Sequence, residues 1–303
     1  MDGVILLHKP VGMTSHDCVM KARKILHTKK VGHTGTLDPD VSGVLPLCVG
    51  RGTKIVEYLL NASKTYEAEV TIGISTTTED QSGKMVDKVP VIQTIDKQEI
   101  EQLLKSLQGK LKQKPPMYSA VKVNGKKLYE YARKGIEVDR PERQIEIYNM
   151  DLLSDIYDKE DTLSFSFRVH CSKGTYVRTL AVMIGEKLGY PAHMSHLKRV
   201  ASGTIKIDEC ISFEELEQFH GLGQFQKGFL SISDAIKHLP KLVINDTLAE
   251  KVKNGILLSK TDETREMNQD DVIAVFNQHG TCLAIYQSYI KDDHLLKPVK
   301  VLI

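Results

Sequence analysis

One acidic residue, Asp38, lies in a segment of turn-forming residues rather than in a regular helix or strand. The segment covers residues 32–45 and reads GHTGTLDPDVSGVL. Its glycines allow unusual backbone angles, and Pro39 restricts the chain directly after the aspartate. A loop of this kind can present a carboxylate at the floor of a cleft, where it can act as a nucleophile or a general base. The residues alone leave open an ordinary turn in which Asp38 bonds its own backbone.

A cation for this carboxylate is available in the segment CSKGTYVRTLA, residues 171–181. The segment passes from a predicted strand into a predicted helix, which places Tyr176 and Arg178 in the first helical turn. An arginine beside Asp38 would hold the carboxylate in one orientation and lower its pKa by roughly 1 to 3 units. A structural salt bridge at the start of a helix is the alternative for the same residues.

A magnesium site is a competing chemistry. Residues 38–42 loosely resemble the DxDx[T/V] motif of haloacid-dehalogenase-type phosphatases, which requires a buried apolar strand directly before its first aspartate. Here GHTGTL precedes Asp38, which argues against that motif. His193 and His196 have no third ligand nearby in the sequence, and no GxxxxGK loop is present. We therefore predict no metal and no cofactor.

The elements around these residues are predicted to form an α+β fold. Residues 44–49 read as a buried strand that anchors the Asp38 loop, and residues 64–75 alternate between apolar and polar, with Tyr66 on the buried face. A helix is predicted over residues 175–188 and a strand over residues 194–207. Strands follow one another as hairpins as often as through helices, which favours a mixed, largely antiparallel central sheet flanked by helices.

The length of 303 residues favours two domains rather than one. The segment GLGQFQKG at residues 221–228 is the best linker candidate, and a small β-rich tail follows from about residue 239. We therefore place the boundary between residues 1–238 and residues 239–303.

Charge is distributed unevenly along the chain. Lys and Arg total 41 against 39 Asp and Glu, yet residues 110–143 carry ten basic residues and four acidic ones. This basic segment contains a predicted strand at residues 119–123, an Asn-Gly turn and a short helix at residues 127–135. Clustered basic charge is typical of a surface that binds a polyanion, although a solvated hairpin would show the same pattern.

The five cysteines are odd in number, are widely spaced and form no CxxC pair. This pattern argues against a disulfide framework and favours a reducing compartment. The sequence has no signal-peptide pattern and no apolar run of membrane-spanning length, so we expect a cytoplasmic protein.

Several motifs together resemble one family. GHTGTLDPDVSGVL, the opening LLHKPVGMTSHD, the strand KTYEAEV, CSKGTYVRTLA and the later HLKR are similar to those of the bacterial tRNA pseudouridine-55 synthases, which isomerise a uridine in the T-loop of tRNA. The motifs follow the family's order and span residues 5 to about 200. The resemblance implies a pseudouridine synthase fold over residues 1–238. It also implies a small RNA-binding domain of the PUA type over residues 239–303.

The resemblance also implies roles for individual residues. Asp38 would be the essential carboxylate, Tyr66 would stack on a flipped base and help remove its C5 proton, and Arg178 would pair with Asp38. The residues implied for substrate binding or support of the base pocket are His33, Tyr176, Leu197, Lys9 and Asp80. Without the resemblance, these residue types are equally typical of core packing and ordinary turns.

The implied reaction breaks a C1′–N1 bond and makes a C1′–C5 bond in one nucleotide, so it consumes no cofactor, metal or second substrate. The implied partner is the T-stem-loop of tRNA, gripped by the basic residues 110–143. The resemblance implies a monomer with no protein partner and no membrane. A non-catalytic tRNA-binding or tRNA-folding protein with the same surface remains the alternative, and the atom that Asp38 attacks, C6 or C1′, remains open.

Overall fold

The computed structural model describes residues 1–303, apart from the side chain of Lys159. The strands run in chain order as β1 (Gly3–Lys9), β2 (Val31–His33), β3 (Ser42–Val49), β4 (Lys64–Ile72), β5 (Ile74–Thr76), β6 (Met85–Lys88), β7 (Gly109–Gln113), β8 (Lys122–Val123), β9 (Lys126–Lys127), β10 (Arg143–Leu152), β11 (Tyr157–Lys159), β12 (Thr162–Cys171), β13 (Ala192–Ser202), β14 (Ile205–Lys206), β15 (Phe229–Leu230), β16 (Lys241–Val243), β17 (Leu258–Ser259), β18 (Val272–Phe276), β19 (Cys282–Ser288) and β20 (Leu295–Val301).

The α-helices are α1 (Ser15–Ile25), α2 (Val56–Leu60), α3 (Lys97–Ser106), α4 (Leu128–Ala132), α5 (Val177–Leu188), α6 (Phe213–Leu222), α7 (Ile232–Ala235) and α8 (Asp246–Val252). Short 3₁₀ helices cover Gly50–Ile55, Ile207–Glu209 and Asp262–Thr264. None of the helices in the part of the chain described here combines the length and the apolar character needed to cross a membrane.

An eleven-stranded sheet forms the centre of the molecule, with the main strand order β15-β1-β3-β13-β4-β12-β10-β7. The pair β3–β13 is parallel and the other pairs of this sheet are antiparallel. The predicted mixed, largely antiparallel sheet is therefore confirmed. The parallel pair joins the strand that follows the Asp38 loop to the strand that carries Leu197.

Strand β4 shows how the sequence pattern produces this sheet. Ala68, Val70 and Ile72 alternate with polar residues, and the apolar positions are at most 2% exposed. They pack in one core with Leu180 and Ile184 of α5, which covers this face of the sheet. Full burial of each such aliphatic side chain stabilises the fold by about 1.5–3 kcal/mol. The alternation therefore determines which face of β4 meets the helix.

The predicted strand over residues 64–75 ends early, at Gly73. The backbone of Gly73 has a φ of 105°, a left-handed conformation that favours glycine, and it breaks the strand. The chain then leaves the large sheet, and β5 pairs with β6 in a separate ribbon. A second glycine, Gly203, has a φ of 60° and divides the predicted strand 194–207 into the hairpin of β13 and β14.

The predicted strand 119–123 is wrong over most of its length, because only Lys122 and Val123 are extended. The carbonyls of Ser119 and Val121 accept hydrogen bonds from the start of α4 instead of from a strand. The predicted turn at Asn124 is confirmed, since its φ of 49° and the tight β8–β9 pairing form a hairpin. All five cysteines are free and buried.

A second sheet of five strands, in the order β16-β18-β19-β20-β17, forms the C-terminal part of the chain. The predicted β-rich C-terminal domain is therefore present. It packs on the face of β1 and β3 opposite to α5, where Val4 and Leu6 share one apolar cluster with Phe276 and Ile285. The boundary at residue 238 and the PUA character of the tail stay predictions.

Candidate active site

The loop that carries Asp38 connects β2 to β3 and is held on both sides of the aspartate. The side chain of Lys9 is fully buried, and its Nζ donates to the carbonyls of Pro39 at 3.1 Å and Val41 at 2.6 Å. Before the aspartate, Ser15 Oγ donates to the Leu37 carbonyl at 3.1 Å and accepts from the Leu37 amide at 2.8 Å. These contacts satisfy buried backbone groups and fix the loop in place.

Arg178, the second residue of α5, is the cation of the site. Its Nη2 lies 3.1 Å from Asp38 Oδ2, and its Nη1 lies 3.3 Å from Asp80 Oδ2. The same guanidinium donates to the carbonyls of Thr78 at 3.2 Å and Tyr118 at 3.0 Å. Its side chain is only 8% exposed. One planar guanidinium therefore joins α5 to three segments of the chain that are distant in sequence.

The pKa of Asp38 is raised above its ordinary value of 3.8. Loss of hydration by burial is the main cause, Arg178 opposes it, and the negative charge of Asp80 adds to it. The arginine forms the predicted ion pair and lowers this pKa as expected, but burial outweighs its effect and the net shift is upward. A water molecule can reach the side chain, which is 46% exposed, but protein atoms surround the carboxylate closely enough for desolvation to prevail.

Two adjoining cavities, of about 490 and 280 Å³, meet at Asp38. Both are lined by Arg178, Leu197, Tyr118 and Tyr129 as well as by the aspartate. The larger cavity falls in the size range of clefts that take small organic ligands or one part of a larger one. The carboxylate thus lies at the floor of a cleft large enough to admit a nucleoside.

Tyr66 and Tyr176 line the larger cavity together with Leu197 and Asp38. Tyr66 projects from β4 and is half-buried, and burial raises the pKa of its hydroxyl. Tyr176 is the residue before α5, and its backbone is fixed by Gln113, whose side chain accepts from the Tyr176 amide at 2.8 Å and donates to its carbonyl at 3.0 Å. The structure therefore brings these predicted residues to one surface.

Asp80 lines the smaller cavity, but its carboxylate is largely occupied by protein donors. One oxygen accepts from Thr78 Oγ1 at 2.7 Å, and from the amide and hydroxyl of Ser82 at 3.0 and 2.6 Å. The other faces Arg178. This geometry is that of a side chain that holds the arginine rather than of one that is free to bind a ligand.

His33 and Lys9 lie outside the lining of the two cavities. The His33 Nδ1 is 3.0 Å from the Gly35 carbonyl, and burial lowers the pKa of the imidazole below 6.5, which keeps it neutral at pH 7. Lys9 uses its ammonium on carbonyls of the Asp38 loop, as described above. Both residues are close to the site in the fold, and their predicted role in substrate binding or support stays a prediction.

One residue of the cleft was missed in the sequence. Arg199 lines the larger cavity, and its side chain is only 1% exposed. It stands two positions after Leu197 in β13, directly across from Tyr66 in β4. Strand alternation places Leu197 and Arg199 on the same face. A pocket that contains Leu197 therefore indicates Arg199 as a further pocket residue.

The basic segment 110–143 reaches over the cleft. Tyr118, Tyr129 and Arg133 from this segment line the smaller cavity. Arg133 and Lys127 lie over the Tyr129 ring, at 5.2 and 5.4 Å from its centroid, within the range of cation–π attraction. The segment therefore brings positive charge and aromatic surface to the rim of the site.

Comparison with known proteins points to one family. The model of the TruB family pseudouridylate synthase N-terminal domain matches residues 23–177, and that of the tRNA pseudouridylate synthase B C-terminal domain matches residues 178–227. The chain is 63% identical over 302 residues to tRNA pseudouridine synthase B of Bacillus subtilis (strain 168), covering 100% of this chain and 98% of that one. It is 59% identical to the protein of the same name from Bacillus licheniformis, with the same coverage.

Among solved structures, the chain is similar to one from a Cbf5-Nop10-Gar1 complex, with a TM-score of 0.76 and 28% identity. The match covers 99% of this chain and 85% of that one. The similarity therefore extends over both sheets of the fold.

Proposed function

Because the chain belongs to the TruB family of pseudouridylate synthases, we propose that it acts on the T-loop of tRNA, converting uridine 55 to pseudouridine with Asp38 as the reacting carboxylate. The enzyme is a tRNA pseudouridine synthase, an isomerase that converts uridine in tRNA to pseudouridine. The observation that carries the finer proposal is the ion pair of Asp38 and Arg178, 3.1 Å apart, at the floor of a cleft with Tyr66 on its wall.

The target base must leave its stack before Asp38 can reach it. Extruding a nucleotide costs a few kcal/mol, and stacking a base on an aromatic side chain contributes about 1–3 kcal/mol in return. Several tyrosines line the larger cavity, and Tyr66 is the one that belongs to the central sheet. It therefore offsets part of the flipping cost and holds the base against Leu197.

The isomerisation conserves all atoms of the nucleotide. The C1′–N1 bond breaks, the C1′–C5 bond forms, C5 loses a proton and N1 gains one. The carboxylate of Asp38 acts on one of two electrophilic carbons, C6 of the base or C1′ of the ribose. Arg178 keeps this carboxylate charged and oriented while the base turns.

Binding of the RNA is supported by the basic segment that borders the cleft. Structured RNA is recognised through phosphates, shape and splayed loop bases. Arg133 and the aromatic residues of the segment lie beside the cavity in which the flipped base would sit. In this proposal the segment holds the T-stem-loop while Asp38 reacts.

Substitution Asp38→Asn tests the proposal. Release of tritium from tRNA that carries 5-tritiated uridine is expected to fall by at least about 10³-fold, because the amide cannot act as a nucleophile, while tRNA binding changes little. Asp158→Asn is the matched control, since Asp158 is an exposed carboxylate on β11 that lines neither of the two cavities.

Two results would contradict the proposal. Full tritium release by Asp38→Asn would remove the carboxylate from the chemistry. Wild-type protein that binds tRNA and releases no tritium would instead support a tRNA-binding or tRNA-folding role. Mapping the product to a single uridine of the T-loop tests the proposed position.

A further inference from the structure

Arg199 is a buried cation that the reaction described above does not use. It projects from β13 beside the β3 strand, and its Nε donates to the Val44 carbonyl at 2.7 Å. Gly43 allows this approach, because an added Cβ there would lie 2.1 Å from the Arg199 carbonyl oxygen. The backbone and the Nε of Arg199 are therefore in close contact with β3.

The far end of the guanidinium is incompletely satisfied. Nη2 is buried and has no hydrogen-bond partner within the described part of the chain. A buried charged group with a missing partner costs stability, and an apolar side chain of similar size commonly replaces such a group without loss. An arginine at this position therefore calls for a role other than packing.

Tyr66 lies opposite Arg199 in the sheet and interacts electrostatically with its guanidinium. The two residues are direct partners across the β13–β4 register, so their side chains emerge on the same face of the sheet. Both line the larger cavity, which the ion pair of Asp38 and Arg178 lines as well. The cleft thus contains one arginine for its carboxylate and a second arginine beside its tyrosine.

We propose that Arg199 is a positioning residue for Tyr66, which fixes the phenol against the wall of the cleft and polarises its hydroxyl through the guanidinium. The inference rests on the proposed function, in which Tyr66 contacts the flipped base. In this proposal Arg178 is the cation for Asp38, and Arg199 is the cation for Tyr66. The two pairs approach the base from different elements of the fold.

The electrostatics of Tyr66 agree with this geometry. Burial raises the pKa of the Tyr66 hydroxyl, and Arg199 is the largest influence that opposes it. Cys171 and Asp38 are the other groups that face the hydroxyl, and both raise its pKa further. Lys64 lines the same cavity, but its Nζ donates to the carbonyls of Leu60 and Ala62.

A double-mutant cycle between Arg199→Met and Tyr66→Phe tests the proposal. Single-turnover rates with enzyme in excess are expected to fall about 10-fold or more for Arg199→Met, with tRNA affinity changed less than about threefold. In the Tyr66→Phe background, the same change is expected to cost less than about threefold, because the hydroxyl through which Arg199 acts is gone. Arg199→Lys, which retains the charge, should restore part of the rate.

A stability cycle with the same variants is independent of activity. If the guanidinium contacts the hydroxyl, the losses in melting temperature of the two single variants will not add in the double variant. Arg168→Met is the matched control, because Arg168 forms an exposed ion pair with Glu67, at 2.6 Å, on the opposite face of β4. It should keep the rate within about twofold and show additive losses with Tyr66→Phe.

These experiments distinguish a failure of this inference from a failure of the proposed function. An inactive wild-type enzyme would contradict the proposed function, while the stability cycle would still decide whether Arg199 and Tyr66 are coupled. A folded Arg199→Met variant with the wild-type rate would overturn the inference. So would a rate loss that persists in full when Tyr66 is phenylalanine, because Arg199 would then act through another group.

Discussion

At the residue scale, the site depends on one guanidinium shared between two carboxylates. Arg178 reaches Asp38 with one nitrogen and Asp80 with the other. Asp80 also accepts from Thr78 and Ser82, so its negative charge is well stabilised without the arginine. Burial raises the pKa of Asp38, Arg178 opposes this rise, and the negative charge of Asp80 adds to it.

Asp80→Asn is expected to move the acidic limb of the pH–rate profile to lower pH. Turnover requires ionised Asp38, so activity falls as pH falls through the Asp38 pKa, which lies above 3.8. Removing the charge of Asp80 removes one cause of the raised pKa. The measurement is kcat/KM across the acidic range in wild-type and variant enzyme.

The control for this experiment is Asp87→Asn, which neutralises an exposed carboxylate on β6. Its acidic limb should coincide with that of the wild type. If the limb stays in place in Asp80→Asn, then either Asp80 does not influence Asp38 or the limb reports another group. A shift to higher pH would mean that Asp80 acts mainly by orienting Arg178.

At the element scale, the active loop is precise because two other elements hold its backbone. The end of β1 supplies Lys9, and the start of α1 supplies Ser15, whose side chain is 2% exposed. The α1 helix begins at a capping box, in which Thr14 and Asp17 bond each other's backbone amides. The cap fixes the position of Ser15. The hydrogen bonds of Ser15 in turn fix the backbone of Leu37, the residue before Asp38.

Ser15→Ala is expected to slow turnover more than it weakens tRNA binding. The substitution leaves the amide and the carbonyl of buried Leu37 without their partner, at a cost of about 1–3 kcal/mol for each group. A displaced loop carries Asp38 away from its productive position, so kcat should fall about 10-fold. Thermal unfolding and single-turnover kinetics together measure both effects.

Ser106→Ala is the matched control, because Ser106 is an exposed serine at the end of α3 whose hydroxyl bonds a carbonyl of its own helix. It should change neither rate nor melting temperature appreciably. A Ser15→Ala enzyme with lowered stability and an unchanged rate would show that the loop keeps its position without this contact.

At the scale of the whole molecule, the two sheets are joined by a continuous apolar cluster. The back of β1 and β3 packs against the C-terminal sheet through Val4, Leu6 and Phe276, while the front faces α5 and the site. The ion pair of Lys300 with Glu57, 3.1 Å apart, lies beside this contact. The C-terminal sheet therefore supports the strands that carry the active loop.

Phe276→Ala is expected to lower the free energy of unfolding by about 3–5 kcal/mol, because it opens a cavity in this cluster. Turnover at a temperature well below the transition should remain close to that of the wild type, since the cleft is on the other face. Thermal unfolding and tritium release at low temperature measure the two quantities. The control is Val243→Ala, at a site that is 52% exposed.

A large loss of activity in folded Phe276→Ala would contradict the separation of the two faces. It would mean that repacking behind β1 and β3 reaches the Asp38 loop. A melting temperature equal to that of Val243→Ala would instead show that the cluster contributes little to stability.

Much of the fold was predictable because it depends on short-range patterns. The alternation in β4, the helix over α5 with Gly189 at its end and the Asn124 turn are all read from neighbouring residues. Two predicted strands end earlier than expected, at Gly73 and Gly203, where the backbone is left-handed and the chain enters a new strand pairing. Element ends depend on tertiary partners, which a local pattern does not contain.

The sequence by itself determined which reactive groups the site contains. They are a carboxylate in a turn-rich loop, an arginine at a helix start and a tyrosine on a buried strand face. Tertiary structure decided which of these residues lie close to one another. Arg178 serves Asp38 and Asp80 together, burial reverses the expected direction of the Asp38 pKa, and sheet register sets Arg199 across from Tyr66. The physical reason is that solvation and charge act through space, between residues that folding alone brings together.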